Sequence, residues 1–90
     1  SYSSDVHAFP NPVRPDAGEQ VSISGLMQNS TVKITDMAGN LINQGQSTGS
    51  LYTWNCINRS GETVKAGVYL VFASSSDGAQ GIVTKIMVIK

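Results

Sequence analysis

Apolar residues in this chain recur at every second position in short runs, and each run stops at a cluster of Gly, Pro, Asn, Asp or Ser. Val21 and Ile23 alternate with Gln20, Ser22 and Ser24, and Val32 and Ile34 flank Lys33. A period of two sends successive side chains to opposite faces, which marks a strand with one buried side. No window carries the 3.6-residue period of a helix, so the chain is predicted to be all-β.

The runs divide the chain into seven strands. Pro10, Pro12 and Pro15 fall within six residues of one another. Their fixed φ and missing donors exclude a helix over Val6 to Pro15, leaving a short edge strand that runs into an extended arm. Further strands are expected over Glu19 to Ser24, Thr31 to Thr35, Leu41 to Gln44 and Leu51 to Trp54. Gly67 to Ala73 is the most apolar run and is predicted to be a central strand covered on both faces. The last strand, Ile82 to Ile89, places Ile82, Thr84, Ile86 and Val88 on one face and Lys85 on the other. Gly25 to Ser30, the polar loop Gly45 to Ser50 and Asn58 to Glu62 read as connections, and Ser76 to Ala79 as a turn with an Asp-Gly signal. Gly39-Asn40 is expected to supply the positive-φ residues of a hairpin. Short strands separated by turn signals describe an antiparallel sandwich, here enclosing Val21, Ile34, Leu70 and Ile86. Residues 1–90 are expected to form a single domain, with residues 1–5 a disordered lead-in.

Composition narrows the function. Ninety residues that are 40% apolar support one modest core. Six basic residues balance six acidic ones, and charged residues make up only 13% of the chain, so no basic footprint for nucleic acid or anionic lipid is expected. Cys56 is alone, which excludes an internal disulfide and a CxxC or four-cysteine zinc site. No stretch approaches the ~20 apolar residues of a membrane-spanning helix. Ser1-Tyr2-Ser3-Ser4 does not open a signal peptide, so an exported parent would carry its signal upstream.

Catalysis needs a nucleophile with a base, paired carboxylates or a metal cluster. His7, the single histidine, reads as a half-exposed strand residue, and Cys56 as a semi-buried structural thiol. Asp5, Asp16, Asp36 and Asp77 are scattered over different turns without the spacing of a calcium loop. No glycine-rich phosphate loop opens a helix. Neither an enzyme nor a cofactor is expected. Trp54 and Tyr69 are read as core aromatics, because a small core uses its largest side chains inside. Tyr52, two residues from Trp54, shares its face and stands as the candidate glycan contact.

Several segments in order resemble one family. Phe9-Pro10-Asn11-Pro12 is similar to the aromatic-Pro-Asn-Pro opening of the C-terminal sorting domains carried by cargo of the Bacteroidetes type IX secretion system. Val32-Lys33-Ile34-Thr35-Asp36 with Gly39 resembles its V-x-I-x-D-x-x-G hairpin, Trp54-Asn55 its W-D-G segment and Gly61 the trailing turn. Ala66-Gly67-Val68-Tyr69 resembles its S-G-V-Y strand start, and Lys85-Ile86-Met87-Val88-Ile89 its closing K-I-x-V-I strand. The subgroup that looks closest is the terminal domain of PorZ-like two-propeller proteins. Asn55-Cys56 stands where the family has Asp-Gly, a departure that leaves the local turn geometry open. The immunoglobulin-like domain of the flagellar hook-capping protein shares the Pro-Asn-Pro and Gly-Val-Tyr signals.

The resemblance implies a seven-stranded antiparallel immunoglobulin-like β-sandwich in which the motif residues are mainly structural. It also implies a non-enzymatic sorting or docking role for a larger exported protein, at the outer membrane or cell surface. The implied partners are outer-membrane secretion or surface-attachment proteins and upstream domains of the same chain, with lipopolysaccharide as a candidate ligand. Glycan binding, and structural packing on upstream β-propellers, are the alternatives.

Overall fold

The computed structural model describes residues 6–75 and 80–90. These fold into two antiparallel sheets: β1 (His7–Phe9), β2 (Val21–Ser24) and β5 (Tyr52–Trp54) in the order β1-β2-β5, and β3 (Thr31–Thr35), β4 (Leu41–Gln46), β6 (Gly67–Ser74) and β7 (Gln80–Val88) in the order β4-β3-β6-β7. Among the described residues the one helical turn is a 3-10 turn at Pro15–Ala17, closed by Gly18 at φ +80°. The expected lead-in at residues 1–5 and the turn at 76–79 lie outside the described residues.

The inner faces meet in one core, as the period-two runs require. Val21 and Ile23 of β2 face Val32 and Ile34 of β3, Val71 of β6 and Ile86 and Val88 of β7, all essentially without solvent contact. Trp54 and Tyr69 join across the two sheets as an edge-to-face pair, with ring centroids 5.6 Å apart at 66°. Such a pair adds about 0.5–1.5 kcal/mol to the area it buries. Each ring finds a partner for its polar atom: Trp54 Nε1 donates to the Ile57 carbonyl (2.9 Å) and the Tyr69 hydroxyl to the Lys65 carbonyl (2.6 Å).

Four expectations are corrected. β6 is central but not covered on both faces: Tyr69, Val71 and Ala73 are buried, whereas Val68, Leu70 and Phe72 are half-exposed on the outside of the four-stranded sheet. Leu70 is therefore not a core residue. No third layer covers that face among the described residues, and a uniformly apolar run carries no period to say which alternate set turns inward. The last strand starts at Gln80, two residues before the Ile82 expected, and ends at Val88. A register shift pairs Thr84 with Val71 but Ile82 with Phe72, so its ladder with β6 carries one extra residue; the expected face of Ile82 lies outside the described side chains. In the β3–β4 turn Gly39 takes φ +89° and Asn40 does not enter the left-handed region.

The fourth concerns β4, which runs on through Gly45 and Gln46 where a loop was expected. Gly45 pairs with Val32 on the inner face, and the Tyr52 ring lies over it. A Cβ at Gly45 would sit 2.6 Å from Tyr52 Cε1. The glycine thus makes room for an aromatic ring inside a strand rather than ending the strand. Gly45→Ala must displace that ring. A loss of roughly 1–3 kcal/mol in unfolding free energy is expected from this overpacking, and denaturant titration against the parent domain checks it.

Candidate functional site

The proline-rich arm leaves β1 and crosses onto the outer edge of β7. Both Phe9-Pro10 and Asn11-Pro12 peptide bonds are cis. Between them the Asn11 amide acts as a one-residue strand: Nδ2 donates to the Lys85 carbonyl (2.9 Å), and the Met87 N–H donates to Oδ1 (2.8 Å). Two residues on, backbone takes over. The Val13 N–H donates to the Met87 carbonyl (2.9 Å), and the Ile89 N–H donates to the Val13 carbonyl (3.0 Å), a parallel bridge centred on Val88. Arg14 ends the series, donating from Nη1 to the Lys90 carbonyl (2.8 Å). Its own N–H is held by Glu19 Oε1 at 2.7 Å. The side chain of Val13 is fully buried, so the strap is also anchored in the core.

The opposite kind of feature sits at the turns. Asp36 Oδ1 accepts the N–H groups of Ala38 and Asn40, both at 2.9 Å, while Oδ2 accepts from Asn40 Nδ2 at 2.9 Å. Asn58 repeats the arrangement, its Oδ1 accepting the N–H groups of Ser60 (2.9 Å) and Glu62 (3.0 Å). Each turn has a left-handed glycine at its fourth residue, Gly39 at φ +89° and Gly61 at φ +83°. The two turns share a cleft of about 370 Å³, lined by Asp36, Asn58, Glu62, Lys65 and Tyr69 among others. The Asn40 amide and the turn N–H groups hold the Asp36 carboxyl below its ordinary range, against a smaller desolvation effect. Burial, and then the charges of Asp36 and Cys56, push the Tyr69 hydroxyl up.

The motif residues therefore gather in three places. Pro10, Asn11, Pro12, Gly67, Val68 and Lys85 gather around β7: the arm lies along its outer edge, while from β6 on its inner side Gly67 pairs with Val88, Val68 with Met87 and Leu70 with Lys85. Asp36, Gly39 and Gly61 build the twin turns. Trp54 and Tyr69 form the core stack. Tyr52 is half-buried against the core, lays its ring over Gly45 and donates its hydroxyl to Asn43 Oδ1. Cys56 is fully buried with φ +62°. The departure from Asp-Gly thus leaves a left-handed turn in place and fills it with a thiol, which burial pushes up to about 11. His7 is exposed on β1. Val13, Arg14, Asn58 and Met87 lie in segments identifiable from sequence, where no role of their own is expected of them; for Asn58 the signal is available, since Asn58-x-x-Gly61 repeats the spacing of Asp36-x-x-Gly39. On the outer face of the four-stranded sheet a groove of about 340 Å³ is lined by Thr31, Lys33, Phe72, Ala73, Ser74 and Gly81.

The family described as secretion system C-terminal sorting domain matches residues 7–90, and the chain belongs to it. It is a type IX secretion sorting domain, the kind of module carried by proteins exported to the outer membrane or cell surface. Among solved structures it is similar to PorZ, described as an essential bacterial surface component of the type IX secretion system of human oral-microbiomic Porphyromonas gingivalis. The identity is 33% and the TM-score 0.83, over 96% of this chain and 12% of that one. It is also similar to dimeric latent PorU from Porphyromonas gingivalis, at 27% identity and TM-score 0.68, over 93% of this chain and 9% of that one. The chain thus spans about a tenth of either structure. No curated protein matched.

Two predictions follow from the geometry. Asn11→Ala removes two hydrogen bonds from the β7 edge and is expected to lower stability by about 1–2 kcal/mol, with faster amide exchange at Met87 measured by NMR. Asp36 gives a pH dependence. Its carboxyl is more acidic folded than unfolded, so its contribution is present above the ordinary carboxylate range and is lost as pH falls through the lowered folded value. Asp36→Asn should be less stable than the parent at neutral pH, and the gap should narrow as pH falls below the ordinary carboxylate range. Denaturant midpoints across a pH series read this directly.

Proposed function

We propose that this domain is a non-enzymatic address, read as a folded surface by the type IX secretion or surface-attachment machinery, at the C-terminal end of a longer exported protein. One observation carries the reading: the family's motif residues are spent on holding the fold together. Asn11 ties down the last strand, the twin turns close the hairpins, and Trp54 and Tyr69 fill the core. A loose linear tail would not need such closure, whereas a surface recognised in three dimensions does. The two-sheet antiparallel architecture supports classing the module as immunoglobulin-like.

The chemistry of the titratable groups supports the non-enzymatic part. A thiol raised by burial moves away from the thiolate that nucleophilic catalysis uses. Asp36 is committed to three hydrogen bonds within its own turn.

The test is export of a reporter fused ahead of residues 1–90 in a host that possesses the type IX machinery. Surface delivery is expected with the module and is expected to vanish without it. Asn11→Ala should reduce delivery in proportion to the folded fraction, measured on the same fusions. Delivery unchanged on deleting the module would sink the proposal.

A further inference from the structure

The two edges of the four-stranded sheet are treated differently. At β7 the strap of Asn11, Val13 and Arg14 occupies the backbone groups of Lys85, Met87, Ile89 and Lys90. The half of β7 before the strap carries the register shift between Thr84 and Ile82, and bulges of this kind blunt an edge. At the other side of the sheet β4 pairs with β3 alone.

The direction of the free groups on β4 can be derived. Register pairs Gly45 with Val32 and Asn43 with Ile34, and the ladder continues at Ser47, whose N–H donates to the Ser30 carbonyl at 2.8 Å. Hydrogen-bonded and non-bonded pairs alternate along an antiparallel ladder. Asn43, Gly45 and Ser47 therefore direct their backbone polar groups at β3, and Gln44 and Gln46 direct theirs outward. Among the described residues none bonds the backbone of Gln44 or Gln46.

The composition of β4 also lacks the usual protection. Leu41 to Gln46 carries no charge and no proline, the two devices that most often discourage edge pairing. Its single irregularity lies at Ile42, between the Ile34–Asn43 and Thr35–Leu41 pairs, leaving Asn43 to Gln46 regular. The edge strands of the smaller sheet, β1 and β5, have three residues each against six in β4.

We infer that the β4 edge is the docking seam of this domain, taking an extended segment of a partner protein as an added strand through the N–H and carbonyl groups of Gln44 and Gln46. Main-chain hydrogen bonds supply the affinity in this mode, so the occupant is defined by being an unpaired extended polypeptide and not by a charged motif. The inference rests on the sorting reading and names where recognition happens.

Backbone substitution tests it. Gln44→Pro and Gln46→Pro each delete an outward N–H while leaving every backbone bond to β3, and proline is tolerated on an edge strand whose N–H faces solvent. Gln46→Pro also removes the side-chain bond from Gln46 Nε2 to Thr31 Oγ1, so Gln44→Pro is the cleaner variant. In the reporter fusion each is expected to lower surface delivery roughly tenfold, the effect of losing about one interfacial hydrogen bond. Gln44→Ala, which changes only the side chain, should export like the parent. The double variant Gln44→Lys/Gln46→Lys keeps the backbone intact, so its fold does not depend on accommodating proline, and a comparable loss is expected. Folding is read from the emission of buried Trp54 and the thermal transition. A folded proline variant, or the lysine pair, exporting like the parent overturns the inference while module deletion still abolishes export and leaves the sorting reading standing. Export that survives while a dimer seen by light scattering disappears would assign the edge to a second copy, and equally overturns it.

Discussion

The fold depends on a tie between its two ends. A sandwich of this size has few long strands, and its last strand has a neighbour on one side only. Without the arm, the carbonyls of Lys85 and Met87 and the N–H groups of Met87 and Ile89 would face water on an open edge, and Val13 would leave a hole in the core. The arm closes both at once. Its prolines suit the task because a residue between two of them has no freedom to join a helix, and Asn11 can then present its amide as both donor and acceptor. Strap and core are coupled through Val13, which belongs to each.

The two glycine-containing turns follow a parallel logic. Asp36 and Asn58 each gather two backbone N–H groups onto one side-chain oxygen, and the glycine three residues on absorbs the positive φ. The aspartate version is charge-assisted and titrates, whereas the asparagine version does not. Tyr69 sits beneath them, its hydroxyl fixed on the Lys65 carbonyl and its ring against Trp54. Turn geometry thus reaches the central aromatic pair through a single residue.

Much of this was legible in the sequence because it is local. Alternation at Val21-Ile23 and Val32-Ile34 gave strand and face together, and Trp54 and Tyr69 were identifiable as core by size alone. What escaped depends on distant partners. Gly45 reads as a breaker until the Tyr52 ring is placed over it. Leu70 reads as core until the sheet's outer face is known, because Val68 to Ala73 is apolar at every position. The pairing of β7 with β6 shifts register between Thr84 and Ile82, which no local pattern announces. The role of Asn11 joins residues 74 and 76 positions apart, and no local pattern encodes it.

The same contrast bears on how a domain with so little surface charge avoids promiscuous pairing. Charged side chains are the common guard on an exposed edge, and only 13% of this chain is charged. A fold short of such guards must cover its edges with its own backbone or leave them available. At β7 it covers them, using residues that belong to the family motif. At β4 it has placed neither a charge nor a proline nor a strap. In a protein that must stay soluble on its way out of the cell, one long unguarded edge beside one carefully sealed edge is a difference in use, because the physical hazard at the two is the same.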